Sequence, residues 1–271
     1  MVNFLQSFFK KSIEDKIYDI AAQLAYYFLL AMLPLLMLLI SIIGFFSIDT
    51  DGILSLINAY VPGGAFVIIQ NNLNAILNSQ SVGLLSLSTT ATLWLSLMGT
   101  FAIIRAINAA YRLKIPSLLS MLGKGIILVL SLLLAIIISL LLPIYGEPLG
   151  AFVFRFIGLD DYFLQLWSWI RWIISFLVIG AILGIIYKVV PNRKTTWRES
   201  LPGATLALLT WQAASFGFSF YVSVSDYSMI YGNLGNLIVL MLWFYLTGFA
   251  ILLGGEWNAC LYERDNKAIE I

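Results

Sequence analysis

Long uncharged runs separated by short polar connections dominate this chain. The clearest of them extends from Leu234 to Leu253 through aliphatic and aromatic residues without a single charge. About 20 such residues in a helix cross ~30 Å of hydrocarbon, so this stretch predicts a membrane span. It is framed by a Gly/Asn turn before Leu234 and by Gly254, Gly255 and Glu256 after it. Similar runs place spans at about 22–46, 82–104, 125–145, 164–187 and 201–224, and the last closes the set at 234–256. The pattern therefore predicts an all-α fold, a polytopic integral membrane protein of six transmembrane helices forming one membrane domain over residues 1–271.

Two stretches break the pattern. The amino end carries Lys10, Lys11, Glu14, Asp15, Lys16 and Asp19, while Phe4, Phe8, Ile13, Ile17 and Ile20 fall roughly on one side of a helix. Such a segment suits a retained amphipathic helix at the cytoplasmic membrane surface, or equally a solvated lead-in to the first span. From Asp49 to Ser81 the chain is too polar to span. There Phe66, Ile69, Leu73, Ile76 and Leu77 recur at three- and four-residue spacing opposite Gln70, Asn71, Asn74 and Asn78, after a break at Val61, Pro62, Gly63 and Gly64. That spacing predicts an amphipathic helical hairpin on the outer face between spans one and two, serving as packing, lid or plug. Pro34, in the middle of span one, is a candidate kink, because a proline removes a backbone donor and clashes with the preceding turn.

Composition narrows the function classes. With 61% hydrophobic and 11% charged residues the chain cannot solubilise itself as a globular domain. A net charge of +1 without clustered Lys and Arg gives no surface for nucleic acid. No histidine is present and Cys260 is the lone cysteine, so neither a metal site nor a cofactor site nor an intramolecular disulfide is expected. Lys and Arg collect in the segments before span one, between spans two and three, between spans four and five, and after span six. Asp49, Asp51, Glu147, Asp160, Asp161 and Asp226 collect on the opposite side. By the positive-inside rule both termini are expected in the cytoplasm.

A few polar residues stand out against this background. Ser88, Thr92, Ser96 and Thr100 repeat every four residues along span two, forming a stripe that either packs closely on a neighbouring helix or walls a hydrophilic cavity ending at Arg105 and Asn108. Arg171, among Trp167, Trp169 and Trp172, either snorkels outward or contacts an anion with Asp160 or Asp161 as its resting partner. Glu256 ends the last span near its cytoplasmic side. It either bonds backbone groups or a basic residue such as Arg105 or Lys188, or lines a path through the bundle together with Tyr245, which faces nearly the same helical direction.

Three blocks of residues carry a family resemblance. They are Ala21 to Tyr27 leading to Pro34, the Tyr187 to Pro191 run before Trp197 and Leu201 to Ala204, and the run holding Tyr231, Gly232, Leu234, Gly235, Trp243, Gly254, Gly255, Glu256, Asn258 and Ala259. In this order and spacing the chain resembles, over nearly its whole length, the YihY/BrkB family of bacterial inner-membrane proteins. The resemblance implies a six-span fold in the bacterial cytoplasmic membrane and brings no agreed catalytic residues. Members are linked to serum resistance and to movement of envelope lipids or other solutes, and some carry an old ribonuclease label. A nuclease needs a metal cluster or an acid–base pair beside a basic track. Without histidine, and with most acids outside or near the chain ends, an enzyme is not expected here. The expected function is a transporter or flippase for an amphiphilic, lipid-like or anionic solute, with the lipid bilayer as partner. The alternative is a non-transporting scaffold for envelope assembly.

Overall fold

The computed structural model describes residues 2–45, 82–134, 160–224 and 234–269, and all the regular structure among them is helical. Seven helices follow one another among the described residues. They are α1 (Val2–Glu14), α2 (Ile17–Phe45), α3 (Val82–Ala110), α4 (Leu118–Leu134), α5 (Asp160–Val189), α6 (Trp197–Val224) and α7 (Leu234–Ile269). Two of their stretches, Ser86–Ala110 and Leu237–Asn266, are long and apolar enough by themselves to cross a membrane. Shorter apolar stretches lie at Ile17–Met32, Leu118–Leu134 and Ile173–Val189. The expected outer hairpin between spans one and two lies outside the described residues.

The helices overrun the apolar runs that mark them. α3 continues to Ala110 and α7 to Ile269, because polar and charged residues such as Glu263 and Arg264 extend a helix as readily as apolar ones. α2 runs through Pro34 as one helix.

The chain forms two compact units, one of Met1–Tyr26 with Gly99–Ile271 and one of Tyr27–Met98. In the smaller unit the start of α3 buries Ser88 and Thr92 and exposes Leu87, Leu93 and Trp94.

The larger unit is organised by α6, which packs along α7 and along α5, while α1 lies against α7. Glycines let α6 and α7 touch backbone to backbone. A Cβ at Gly203 would run into the Gly254 carbonyl oxygen and the Asn258 amide, and one at Gly254 would meet the Tyr187 hydroxyl and the Gly203 carbonyl. Apolar burial cannot drive helix association in hydrocarbon, so close packing through small residues and hydrogen bonds takes its place. Asn258 supplies two such bonds: its Oδ1 accepts from the Gly203 N–H at 2.7 Å and its Nδ2 donates to the Ser200 carbonyl at 3.1 Å. Pro202 lies between those residues and has no N–H to give, so α7 braces the first turns of α6 where the helix's own ladder is incomplete.

The amphipathic α1 divides its apolar residues between two directions. The Phe4 and Phe8 rings stand edge-on to Trp257 of α7 at 5.0 and 5.1 Å, and Lys11 pairs with Glu263. Phe9 and Ile13 are exposed, at 61% and 65%. Ile13 does not share the buried side of Phe8, because five residues at about 100° each carry it well round α1, and the left-handed turn at Lys16 (φ 53°) places Ile17 on a separate helix. Around the bundle Leu119, Trp169, Leu177, Leu209, Phe216 and Phe220 face outward. Such a jacket of large apolar side chains suits a lipid solvent.

Candidate functional site

Glu256 is 2% exposed, at a point of α7 where Gly255 brings the helix against Ile107 of α3. Its carboxyl shares a small cavity with Asp15, from the turn between α1 and α2. Both acids line a cavity of about 20 Å³ whose other walls are aliphatic: Ile17 and Ile20 from α2, Ala106, Ile107, Ala109 and Ala110 from α3, and Leu252 from α7. Glu256 Oε2 and Asp15 Oδ2 are both buried without a hydrogen-bond donor.

The basic groups near this pair donate to neither orphaned oxygen. Arg112 donates to the other Asp15 oxygen, Oδ1, at 2.9 Å, and Lys11 pairs with Glu263. Arg112 reaches Asp15 because α3 ends in a Schellman arrangement. Leu113 N donates to the Asn108 carbonyl and Arg112 N to that of Ala109, with Arg112 itself at φ 54°. That position usually takes glycine, and an L-residue there costs about 1–2 kcal/mol. Lys16, next to Asp15, is held in the same left-handed region. Two strained residues thus flank the ion pair that presents Asp15 to Glu256.

The other residues singled out from the sequence are distributed around the molecule. Asn108 is fully buried and satisfied: Nδ2 donates to the carbonyls of Ile104 and Val190 at 2.7 and 3.2 Å, and Oδ1 accepts from Asn192 N at 2.7 Å. It fastens α3 to the α5–α6 connection, where Lys124 of α4 also donates to the Val190 and Pro191 carbonyls at 2.9 and 3.1 Å. Arg105 is exposed, two residues from Ile107 and so on nearly the opposite side of α3. Lys188 stands 4.3 Å above the Trp197 ring. Tyr245 is half-buried with its ring stacked on Phe249 at 6.3 Å. Of the stripe on α3, Ser88 and Thr92 are buried, and Ser96 and Thr100 half-buried. The Thr92 hydroxyl has no hydrogen-bond partner. Arg171 lies in the first half of α5.

Asp15, the residue opposite Glu256, belongs to the amino-terminal charged patch, which no local pattern separates from an ordinary solvated helix end. The Arg193 guanidinium lies 3.9 Å from the Tyr262 ring and 5.7 Å from that of Tyr111, and donates to Glu199 at 2.6 Å. Burial pushes the Tyr111 phenol up to about 12. Among the described residues no three His, Cys, Asp or Glu side chains gather as a metal site.

An all-helical bundle with an apolar exterior and a carboxyl pair buried beside its last helix defines the class as a helical membrane protein. Comparison with known proteins makes this specific. A family model described as virulence factor BrkB matches residues 8–270, and the chain belongs to that family. The ribonuclease-like protein YfkH of Bacillus subtilis is 37% identical over 265 residues, covering 97% of this chain and 96% of that one. The UPF0761 membrane protein XAC0937 of Xanthomonas axonopodis pv. citri is 28% identical over 269 residues, and the match spans 94% of this chain but 60% of that protein. A UPF0761 membrane protein of Tolumonas auensis is 43% identical over 88 residues, 32% of this chain and 29% of the other. No solved structure matches the chain.

Proposed function

We propose that this chain is a six-span protein of the bacterial cytoplasmic membrane, with both termini in the cytoplasm, and that it moves an amphiphilic, lipid-like or anionic solute across the bilayer. The observation that carries this reading is Glu256. It is an acidic side chain 2% exposed at the end of the apolar stretch of α7, with one carboxyl oxygen lacking a donor. Ionisable groups at such depth are expensive to keep, and they mark substrate paths and proton relays more often than they mark simple packing. The ribonuclease word in a relative's name is not carried over to this chain, which holds no histidine.

A second reading, a non-transporting scaffold for envelope assembly, draws support from the α6–α7 seam. There Gly203 and Gly254 bring the two backbones into direct contact.

Reconstitution separates the two. Vesicles containing the purified protein and a trace of a fluorescent anionic phospholipid are treated with dithionite, with a trapped organic anion followed in parallel. Transport predicts that inner-leaflet fluorescence, protected in empty vesicles, becomes reducible, or that the trapped anion escapes. Protection and retention unchanged in vesicles holding folded protein overturn transport in favour of the scaffold.

A further inference from the structure

We propose that Asp15 and Glu256 form a proton-binding site, in which a single proton is held between Asp15 Oδ2 and Glu256 Oε2 at the wall of the cavity shared by the α1–α2 turn, α3 and α7. The proposal builds on the reading of Glu256 as a functional group and names what binds there.

The first ground is the pairing of acceptors. Asp15 Oδ2 and Glu256 Oε2 are each buried without a donor, and both residues line the same small cavity. Two ionised carboxylates in that arrangement oppose acceptor to acceptor with like charge, and such a pair cannot readily ionise twice. One proton between them satisfies both oxygens at once.

The second ground is the surrounding charge. The charged groups around the pair are Lys11 from α1 and Arg112 from the end of α3; α7 adds the Cys260 thiol, and its Glu263 is held on Lys11. Arg112 is bonded to Asp15 Oδ1 and Lys11 to Glu263, so each cation is matched and neither donates to the two orphaned oxygens. Arg112 neutralises one negative charge of the pair and leaves the second to be neutralised by a proton.

The third ground selects the proton over a metal ion. A cavity of about 20 Å³ has room for about one water molecule. Apart from the two carboxyls its walls are Ile, Ala and Leu side chains. Hard cations such as Ca²⁺ and Mg²⁺ require about six or more oxygen ligands, and this lining supplies too few.

The site joins distant parts of the sequence. Asp15 sits where α1 turns into α2, and Glu256 sits on the helix against which α1 docks through Phe4, Phe8 and Lys11. With the proton bound, the α1–α2 turn is tied to α7. With it released to water, two carboxylates repel and the tie loosens.

Infrared difference spectroscopy on the full chain in lipid nanodiscs tests this through the carbonyl stretch of a protonated carboxyl group, identified by its shift in heavy water. The expected result is one protonated carboxyl at neutral pH that is lost on alkaline titration and is missing from the Glu256→Gln variant. Glutamine can donate to Asp15 Oδ2 and so keeps the fold, whereas Glu14→Gln, at an exposed acid, leaves the band in place. Absence of the band in the parent protein overturns the site whether or not any variant folds, as does its survival in Glu256→Gln. Loss of the band on adding sodium at constant pH assigns the cavity to a metal cation and overturns the proton. A band present in protein that moves neither lipid nor anion overturns transport alone, and lipid movement by a parent protein without the band overturns the proton site alone.

Discussion

The Tyr187 hydroxyl donates to the Ile251 carbonyl at 2.7 Å, and this bond joins the end of α5 to α7 beside the Gly254 contact. The tyrosine is 1% exposed, so its hydroxyl has no water to turn to. Tyr187→Phe keeps the ring and removes the donor, with an expected loss of about 1 kcal/mol. Thermal unfolding in detergent should show the midpoint falling by roughly 2–4 °C. An unchanged midpoint would mean that the bond contributes nothing to holding α5 on α7.

Two glycine-to-alanine changes should act in opposite directions. In an open helix position the replacement gains about 0.5–1 kcal/mol from reduced backbone entropy. Gly123 of α4 is such a position, with nothing within 4 Å of an added Cβ. At Gly203 the new methyl would strike the backbone oxygen of Gly254, which cannot move aside without parting α6 from α7. Overpacking of that kind costs about 1–3 kcal/mol and outweighs the entropic gain. Gly123→Ala should therefore raise the midpoint and Gly203→Ala lower it.

Tyr111 sets an alkaline limit. Burial raises its phenol from 10.0 to about 12, so on raising the pH the unfolded chain loses this proton before the folded one does. The stabilisation associated with the neutral phenol is complete below about pH 10 and is lost as pH climbs to about 12. Measured against pH, the unfolding midpoint of the parent should decline across that window, and Tyr111→Phe should flatten the decline.

Orientation is open to a direct chemical test. Cys260 is buried at 7% exposure and makes a poor reporter. Lys194, exposed in the α5–α6 connection, serves better. In a Cys260→Ser background, Lys194→Cys should resist a membrane-impermeant maleimide in sealed cells and react after permeabilisation. Reaction in sealed cells would invert the proposed topology.

Apolar runs made the helices legible and their ends illegible. Hydropathy marks where a helix meets lipid, whereas hydrogen bonding continues past that boundary, which is why α7 reaches Ile269 rather than stopping near Glu256. Glu256 itself was readable as an acid beside an apolar run. Its partner was not, because Asp15 comes from the opposite end of the chain and only the docking of α1 on α7 unites them. Arg105 and Lys188, nearer by the reckoning of helix ends, point elsewhere: helical phase carries Arg105 to the outer side of α3, and Trp197 takes Lys188. Asn108 is read from the sequence as one end of a possible cavity and Asn258 only as part of a family block, whereas both satisfy backbone groups outside their own helices.

The brace of Asn258 on the start of α6 has a consequence for biosynthesis. The ribosome delivers Gly203 and Ser200 before Asn258, so α6 enters the membrane region with its proline-interrupted first turns lacking the partner that completes them. Backbone groups without partners are poorly tolerated in hydrocarbon. Until α7 emerges, that end of α6 is best kept at the water interface or held by the insertion machinery. The bonds that complete the first turns of α6 therefore close only once Asn258 has been made, 55 residues after Gly203.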